Sequence, residues 1–134
     1  RIYEGTNGIQ SMDLVARKLM DGGTAAFAML EDIKATAANN PTLAAAEIAL
    51  RQATETLLAS DTLNSRFAGA SAYLRAFALT LGGHYLTRGA TDNNRTSLNA
   101  FYTAHFLPQV NALCASAIAG DSLLYAINTD TLAG

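Results

Sequence analysis

The chain has 134 residues, of which 50% are hydrophobic and 15% charged, and its formal net charge is −2. This length suits one compact domain with a short additional segment, and the composition argues against a largely disordered chain. The nine lysines and arginines are scattered, so no basic patch indicates a nucleic-acid partner. The single cysteine, Cys114, excludes an internal disulfide and a cysteine-rich metal site, and it favours a cytoplasmic location.

A membrane span is the first structural alternative to consider, because residues 96–120 contain no charged side chain. Polar residues interrupt this stretch, however, and Pro108 lies in its middle. The polar start of the chain also argues against a signal peptide. We therefore expect a buried helix of a helical bundle rather than a span.

The first predicted element is a short helix over residues 8–20. Thr6 and Asn7 are residue types that cap helix starts, and an apolar stripe follows at helical spacing. The next three residues, Asp21-Gly22-Gly23, break the pattern. We place a domain boundary here, with residues 1–21 as a stub and residues 22–134 as a helical domain.

Two amphipathic helices follow in the helical domain. The first runs from about Thr24 to Ala38, and Asn39-Asn40-Pro41 ends it and starts the next, which continues to about Ser60. The spacing predicts two buried stripes. They consist of Ala26, Leu30, Ile33 and Ala37 in the first helix and of Leu43, Ala46, Leu50, Ala53 and Leu57 in the second.

Two longer helices complete the domain. One is predicted after Ser60-Asp61, with Gly82-Gly83 inside it as a point of close backbone approach or bending. Its predicted stripe consists of Phe67, Ala70, Leu74, Phe77, Leu81 and Tyr85. The other starts near Thr96, after a polar loop, and Pro108 should kink it. The predicted fold is all-α, an antiparallel four-helix up-and-down bundle preceded by a short helical stub.

Side chains that could perform chemistry are few in the helical domain. His84 and His105 lie on different predicted helices, and neither has a carboxylate three or four residues away, so we expect no metal site. Four carboxylates remain as possible acids or bases, but their positions on amphipathic helices indicate solvated faces. They are Glu31, Asp32, Glu47 and Glu55.

The most distinctive segment is the opening, Arg1 to Gln10, which reads RIYEGTNGIQ. From the residues alone, Glu4 either complements the positive end of the following helix or faces a ligand beside free backbone N–H groups. The chain starts without a methionine, and this segment lies at its very beginning. An active loop so close to a free end would fray, so we expect the chain to be part of a longer protein.

Residues 2–10 resemble the IYEGTxxIQ signature near the end of acyl-CoA dehydrogenases. The similarity continues beyond that signature, into the subgroup with an extra C-terminal helical domain, which includes 3-methylmercaptopropionyl-CoA dehydrogenase. The segments that carry this second part of the resemblance are Asp13–Leu19, Ala72–Arg75, Gly82-Gly83 and Phe106–Gln109.

The resemblance implies a role for each residue of the signature. Glu4 takes the place of the catalytic base, and its backbone N–H that of a contact to the thioester carbonyl. Gly5 matches a substrate-adjacent glycine, and Tyr3 would line the acyl pocket. The segment Thr6-Asn7-Gly8 matches the stretch that contacts FAD. Many relatives have glutamine where this chain has Gly8, so a side-chain contact is lost there.

The resemblance also implies an activity and its partners. The longer protein would convert an acyl-CoA to a trans-2-enoyl-CoA with FAD, pass electrons to an electron-transfer flavoprotein, and form a homo-oligomer. Most of the FAD site lies outside these 134 residues. The chain alone is therefore expected to be colourless and inactive. The alternative function is a non-catalytic helical interaction or oligomerisation module, in which Glu4 is only a helix-end charge.

Overall fold

The structure is a computed structural model that describes residues 22–59 and 69–119. These two ranges contain five α-helices and no strand, which confirms the all-α prediction for this part of the chain. The bounds are Thr24–Thr36 (α1), Pro41–Ala59 (α2), Ala70–Arg88 (α3), Asn93–His105 (α4) and residues 109–119 (α5). A 3-10 turn, Ala37–Asn39, follows α1. The predicted stub helix over residues 8–20 lies outside the described residues.

The junction between α1 and α2 lies where the sequence predicts it. Asn40 is extended, with φ −138° and ψ 92°, and therefore stops the preceding turn. Its side-chain Oδ1 accepts a hydrogen bond of 3.2 Å from the backbone N–H of Leu43. Pro41 occupies the first position of α2, where its missing N–H costs no helical hydrogen bond. Asn40 is thus the N-cap of α2.

The core is formed mainly by the predicted stripes of α1 and α2. All nine residues predicted to be buried in these two helices are buried, and Leu30, Ile33, Leu43, Leu50 and Ala53 have no exposed surface. Residues from α3, α5 and the turn before α5 complete the same cluster. Helical periodicity was sufficient to predict these nine buried residues because every residue in both predicted stripes is apolar.

The predicted stripe of α3 is confirmed only at Ala70 and Phe77, and its first residue, Phe67, lies outside the described residues. Leu74 and Leu81 are only half-buried, and Tyr85 is 55% exposed. The buried face instead consists of Ala70, Tyr73, Ala76, Phe77, Thr80, Gly83 and His84. Thr80 can lie on this buried face because its hydroxyl has a hydrogen-bond partner in the same helix. It donates to the Ala76 carbonyl at 2.7 Å.

The last predicted helix is two helices in the structure. α4 starts at Asn93, three residues before the predicted start, because Asp92 caps it by accepting a hydrogen bond from the Arg95 N–H at 2.8 Å. Residues 106–108 form a turn, and α5 begins after Pro108. The expected kink at this proline is thus a complete break.

Glycines mark the points at which helices approach most closely. A Cβ at Gly83 would lie 2.8 Å from Leu107 and 3.2 Å from Leu43, and one at Gly69 would lie 2.9 Å from the Cα atom of Ala117. At Gly82-Gly83 the close neighbours are the side chains of Tyr102, Leu107 and Leu43, so the glycines leave room for packed side chains rather than for another backbone. Among the described helices, none is both long enough and apolar enough to cross a membrane.

Candidate functional site

The six residues that the resemblance assigns to a site all precede the described ranges. They are Tyr3, Glu4, Gly5, Thr6, Asn7 and Gly8. The structure consequently gives no geometry for them, and their roles stay predictions. The candidate sites that can be built from coordinates lie within residues 22–59 and 69–119.

His84 is the most unusual buried polar side chain of α3. It is 2% exposed, and its Nδ1 atom has no hydrogen-bond partner among residues 22–59 and 69–119. Burial lowers the pKa of His84, the charge of Arg88 lowers it further, and Asp32 on α1 acts in the opposite direction. The imidazole is therefore held neutral inside the protein, at a cost for the unpaired nitrogen.

His105 does not join His84 in a common site. Its side chain is exposed on α4 and stacks on Phe101, with ring centroids 4.4 Å apart. No group of three or more potential metal ligands occurs among the described residues. His84 and His105 thus lie apart on α3 and α4, and the carboxylate that acts on His84 is that of Asp32 on α1.

Glu47 is buried, contrary to the prediction that it belongs to a solvated face. Its side chain is 3% exposed, and its Oε2 accepts a 3.1 Å hydrogen bond from Nε of Arg51. Arg51 also contacts Glu31 of α1 at 3.1 Å, and its guanidinium carbon lies 6.0 Å from the centre of the Phe27 ring. The hydrogen bond to Glu47 raises the pKa of Arg51 most. The paired arginine explains how this carboxylate can be buried.

The geometry makes this ion-pair group a structural link rather than an acid–base site. The buried Glu47 Oε2 accepts from Arg51 Nε, and the same guanidinium reaches Glu31 on α1. Glu31 and Glu55 are exposed, as predicted, and so is Asp32. The group joins α1 to α2 through one arginine.

A second polar group joins the ends of three helices. Asn40 donates from Nδ2 to Thr87 Oγ1 at 3.3 Å and to Thr103 Oγ1 at 3.1 Å. Thr87 in turn donates to Oδ1 of Asn99 at 3.3 Å. The sequence indicated Asn40 only as a turn residue, because its contacts on α3 and α4 are 47 and 63 residues away. These side chains hydrogen-bond to one another, so the cluster holds α2, α3 and α4 together.

The buried phenol and thiol of the core are chemically inert near neutral pH. Burial raises the pKa of Tyr73 to about 12, although its hydroxyl lies 2.7 Å from that of Thr54. Burial likewise raises the pKa of Cys114 to about 11. Cys114 is 3% exposed and packs in the core as a small hydrophobic side chain.

A surface depression between α3 and α4 is the remaining candidate. Its volume is about 230 Å³, and it is lined by Tyr85, Leu86, Gly89, Arg95 and Leu98. We call this depression the α3–α4 groove. The predicted stripe of α3 had placed Tyr85 inside the core, so sequence reasoning missed this surface.

A scan of protein-family models, a search of curated proteins and a search of solved structures each found no match to this chain. The functional case therefore depends on the residues of the chain itself.

Proposed function

We propose that the chain is the C-terminal part of an FAD-dependent acyl-CoA dehydrogenase that converts an acyl-CoA thioester to a trans-2-enoyl-CoA. The observation that carries this proposal is the segment from Ile2 to Gln10, which contains all the fixed positions of the dehydrogenase signature in one uninterrupted run. A helical domain follows this segment, as the resemblance implies.

In the proposed reaction, Glu4 removes the proton from the α-carbon of the thioester. A carboxylate is a weak base for such a carbon acid, so the site must stabilise the negative charge that develops on the thioester oxygen. The backbone N–H of Glu4 would donate one hydrogen bond to that oxygen. Exclusion of water by the acyl chain would raise the pKa of Glu4 and strengthen it as a base.

The neighbouring residues would position the substrate and the cofactor. Gly5 has no side chain, so the thioester can approach the backbone closely. Tyr3 would line the acyl pocket. The donors of Thr6, Asn7 and the Gly8 backbone would hold FAD, which when bound accepts the β-hydride. Residues beyond this chain would supply most of the cofactor site.

We further infer that residues 22–134 form an antiparallel four-helix up-and-down bundle appended to the dehydrogenase. Two contacts between α2 and α3 support an antiparallel arrangement of that pair, because the residue number on α3 falls as the number on α2 rises. Asn40 contacts Thr87, and Thr54 contacts Tyr73. The bundle would pack on the dehydrogenase core, cover the CoA end of the cleft or form subunit contacts.

The proposal includes partners and a location. The substrate is an acyl-CoA, the electron acceptor an electron-transfer flavoprotein, and the whole protein a cytoplasmic homo-oligomer. Their support is the same signature that assigns Glu4.

The absorbance spectrum of the complete gene product tests the proposal. We expect the product of the whole reading frame to carry a flavin band that an acyl-CoA bleaches in the absence of an electron acceptor. The isolated 134-residue chain should be colourless and inactive. A complete product that binds no flavin would refute the proposal.

An interaction module is the second candidate function, and α4 favours it. This helix has no buried residue, and it exposes more than half of the side chains of Leu98 and Phe101. An apolar surface of this kind is typical of a contact site. In that case Glu4 has no catalytic role, and its replacement would leave every function of the protein unchanged.

A further inference from the structure

The α3–α4 groove belongs to a continuous apolar surface. Leu98 and Phe101 are 54% and 55% exposed and lie three residues apart, on one side of α4. Phe101 contacts the ring of Phe106 edge-on at 6.2 Å, and Tyr85 of α3, also 55% exposed, lines the groove beside Leu98. Large apolar side chains are thus grouped on one face rather than scattered.

This surface does not result from a weakly attached helix. The Tyr102 hydroxyl donates to the Leu79 carbonyl at 2.7 Å, and the Tyr102 ring lies so close to Gly82 that a Cβ there would be 2.9 Å from its Cζ atom. Thr103 accepts a hydrogen bond from Asn40 on the same inner side of α4. The inner side of α4 is therefore fixed to α3, and Leu98 and Phe101 remain available outside.

The charges around the groove are mainly positive. Arg95 lines it with a side chain that is 64% exposed, and Arg88 is exposed at the end of α3. Among the described residues at the start of α4, the Asp92 carboxylate already accepts the Arg95 N–H and lies 3.6 Å from the Arg95 side chain. The exposed carboxylates Glu31 and Glu55 lie on α1 and α2 instead.

The volume of the groove indicates whether a small molecule or a protein side chain would occupy it. Pockets for drug-sized ligands have volumes of about 300–1,000 Å³, whereas this one has about 230 Å³ and is open. It suits one large apolar side chain. A helix in such a groove would place further apolar residues, one turn apart, on Leu98 and Phe101.

We propose that the α3–α4 groove binds an amphipathic helix of a partner protein, whose apolar face covers Leu98 and Phe101 and whose flanking carboxylates face Arg95 and Arg88. A second copy in two-fold contact would instead place like-charged arginines together. A lipid surface would gain only about 1 kcal/mol from each arginine and would leave the groove unfilled. This inference is independent of the role of Glu4.

The test is fluorescence anisotropy with two labelled helical peptides and the whole 134-residue chain. The peptides share one apolar face and differ only in their flanks, which carry glutamates in one and lysines in the other. We expect the acidic peptide to bind at least about tenfold more tightly at low salt, and this preference to decrease as salt is added.

Matched variants locate the binding surface. Phe101→Ser should weaken binding of the acidic peptide about tenfold or more, and Arg95→Gln about fivefold. Ile48→Ser and Arg75→Gln are the controls, because both residues are exposed but lie away from the groove, and they should leave binding unchanged. Circular dichroism should show the same helix content in all four variants.

Three results would overturn the proposal. Equal binding of the two peptides, or equal loss in the control variants, would show that the groove does not recognise an acidic helix. A dimer in sedimentation that Phe101→Ser dissociates would identify a second copy as the occupant. Binding to phosphatidylserine vesicles, lost in the same variant and without peptide binding, would identify a membrane surface.

Discussion

Replacing Gly83 by alanine tests whether α3 is in close contact with its neighbours. In an isolated helix this change should stabilise by about 1 kcal/mol, because alanine is the better helix former. In the structure the new Cβ would lie 2.8 and 3.1 Å from the two terminal carbons of Leu107 and 3.2 Å from Leu43. Both leucines are at most 1% exposed, so neither can move out into solvent.

The crowding should reverse the sign of the effect. Overpacking of a well-packed core costs about 1–3 kcal/mol, and subtraction of the gain in helix propensity leaves a net loss of about 1 kcal/mol. Urea denaturation gives this value directly from the change in midpoint at constant slope. Ala78→Gly, at an exposed position of the same helix, measures the propensity term alone and should cost about 1 kcal/mol.

A double substitution separates crowding from other causes. Leu107→Ala removes the side chain that Gly83→Ala would meet. The stability loss of the double variant should therefore be smaller than the sum of the losses of the two single variants. A gain of stability in Gly83→Ala, or strict additivity with Leu107→Ala, would refute the close approach of these helices.

Three further substitutions test the buried polar groups. Burial lowers the pKa of His84, so the unfolded chain binds the proton more readily than the folded one. The free energy of unfolding should therefore decrease as the pH falls below about 6.5. Denaturation curves at pH 7.5 and 5.5 should show that His84→Leu removes this part of the pH dependence. Arg51→Met leaves Glu47 buried without its cation and should cost about 2 kcal/mol in urea denaturation; its control, Glu31→Gln, removes an exposed partner and should cost less than about 0.5 kcal/mol. Asn40→Ala should cost about 2 kcal/mol, whereas Asn40→Asp, which keeps the helix cap, should cost about half of that, and equal losses would argue against the cap.

The first two helices could be predicted closely because their local signals agree with their tertiary role. The apolar residues of α1 and α2 recur at helical spacing without polar interruption, and Asn40-Pro41 provides an N-cap followed by a residue suited to the first turn. The predicted apolar stripes and the junction match the structure, and Glu47 and Thr54 add to the buried face of α2 beyond the prediction.

The orientations of α3 and α4 depend on contacts that the local sequence does not contain. Periodicity favoured Leu81 and Tyr85 over Thr80 and His84, because threonine and histidine are more often exposed. The orientation of α3 follows instead from the close approach at Gly83 and from partners distant in the sequence. The break at Pro108 was foreseeable as a kink, but its extent depends on Leu107, which turns into the core with 1% exposure.

The candidate sites also differ in how far the local sequence predicts them. Burial of Glu47 could have been suspected from Arg51 one turn later, but an exposed ion pair has the same spacing. The α3–α4 groove requires Tyr85, Arg95 and Leu98 to meet across two helices, and no sequence motif indicates that meeting. The role proposed for Glu4, in contrast, rests on the resemblance of residues 2–10 alone.

The most direct test of the proposed function is the turnover of an acyl-CoA by the complete protein with Glu4 replaced by glutamine. Glutamine preserves the shape of the side chain but cannot accept the α-proton. We predict that Glu4→Gln retains its flavin and lowers kcat by about 10³-fold or more, a loss in the range expected for a missing general base. Turnover equal to that of the wild type, with flavin bound, would contradict the assignment of Glu4 as the base.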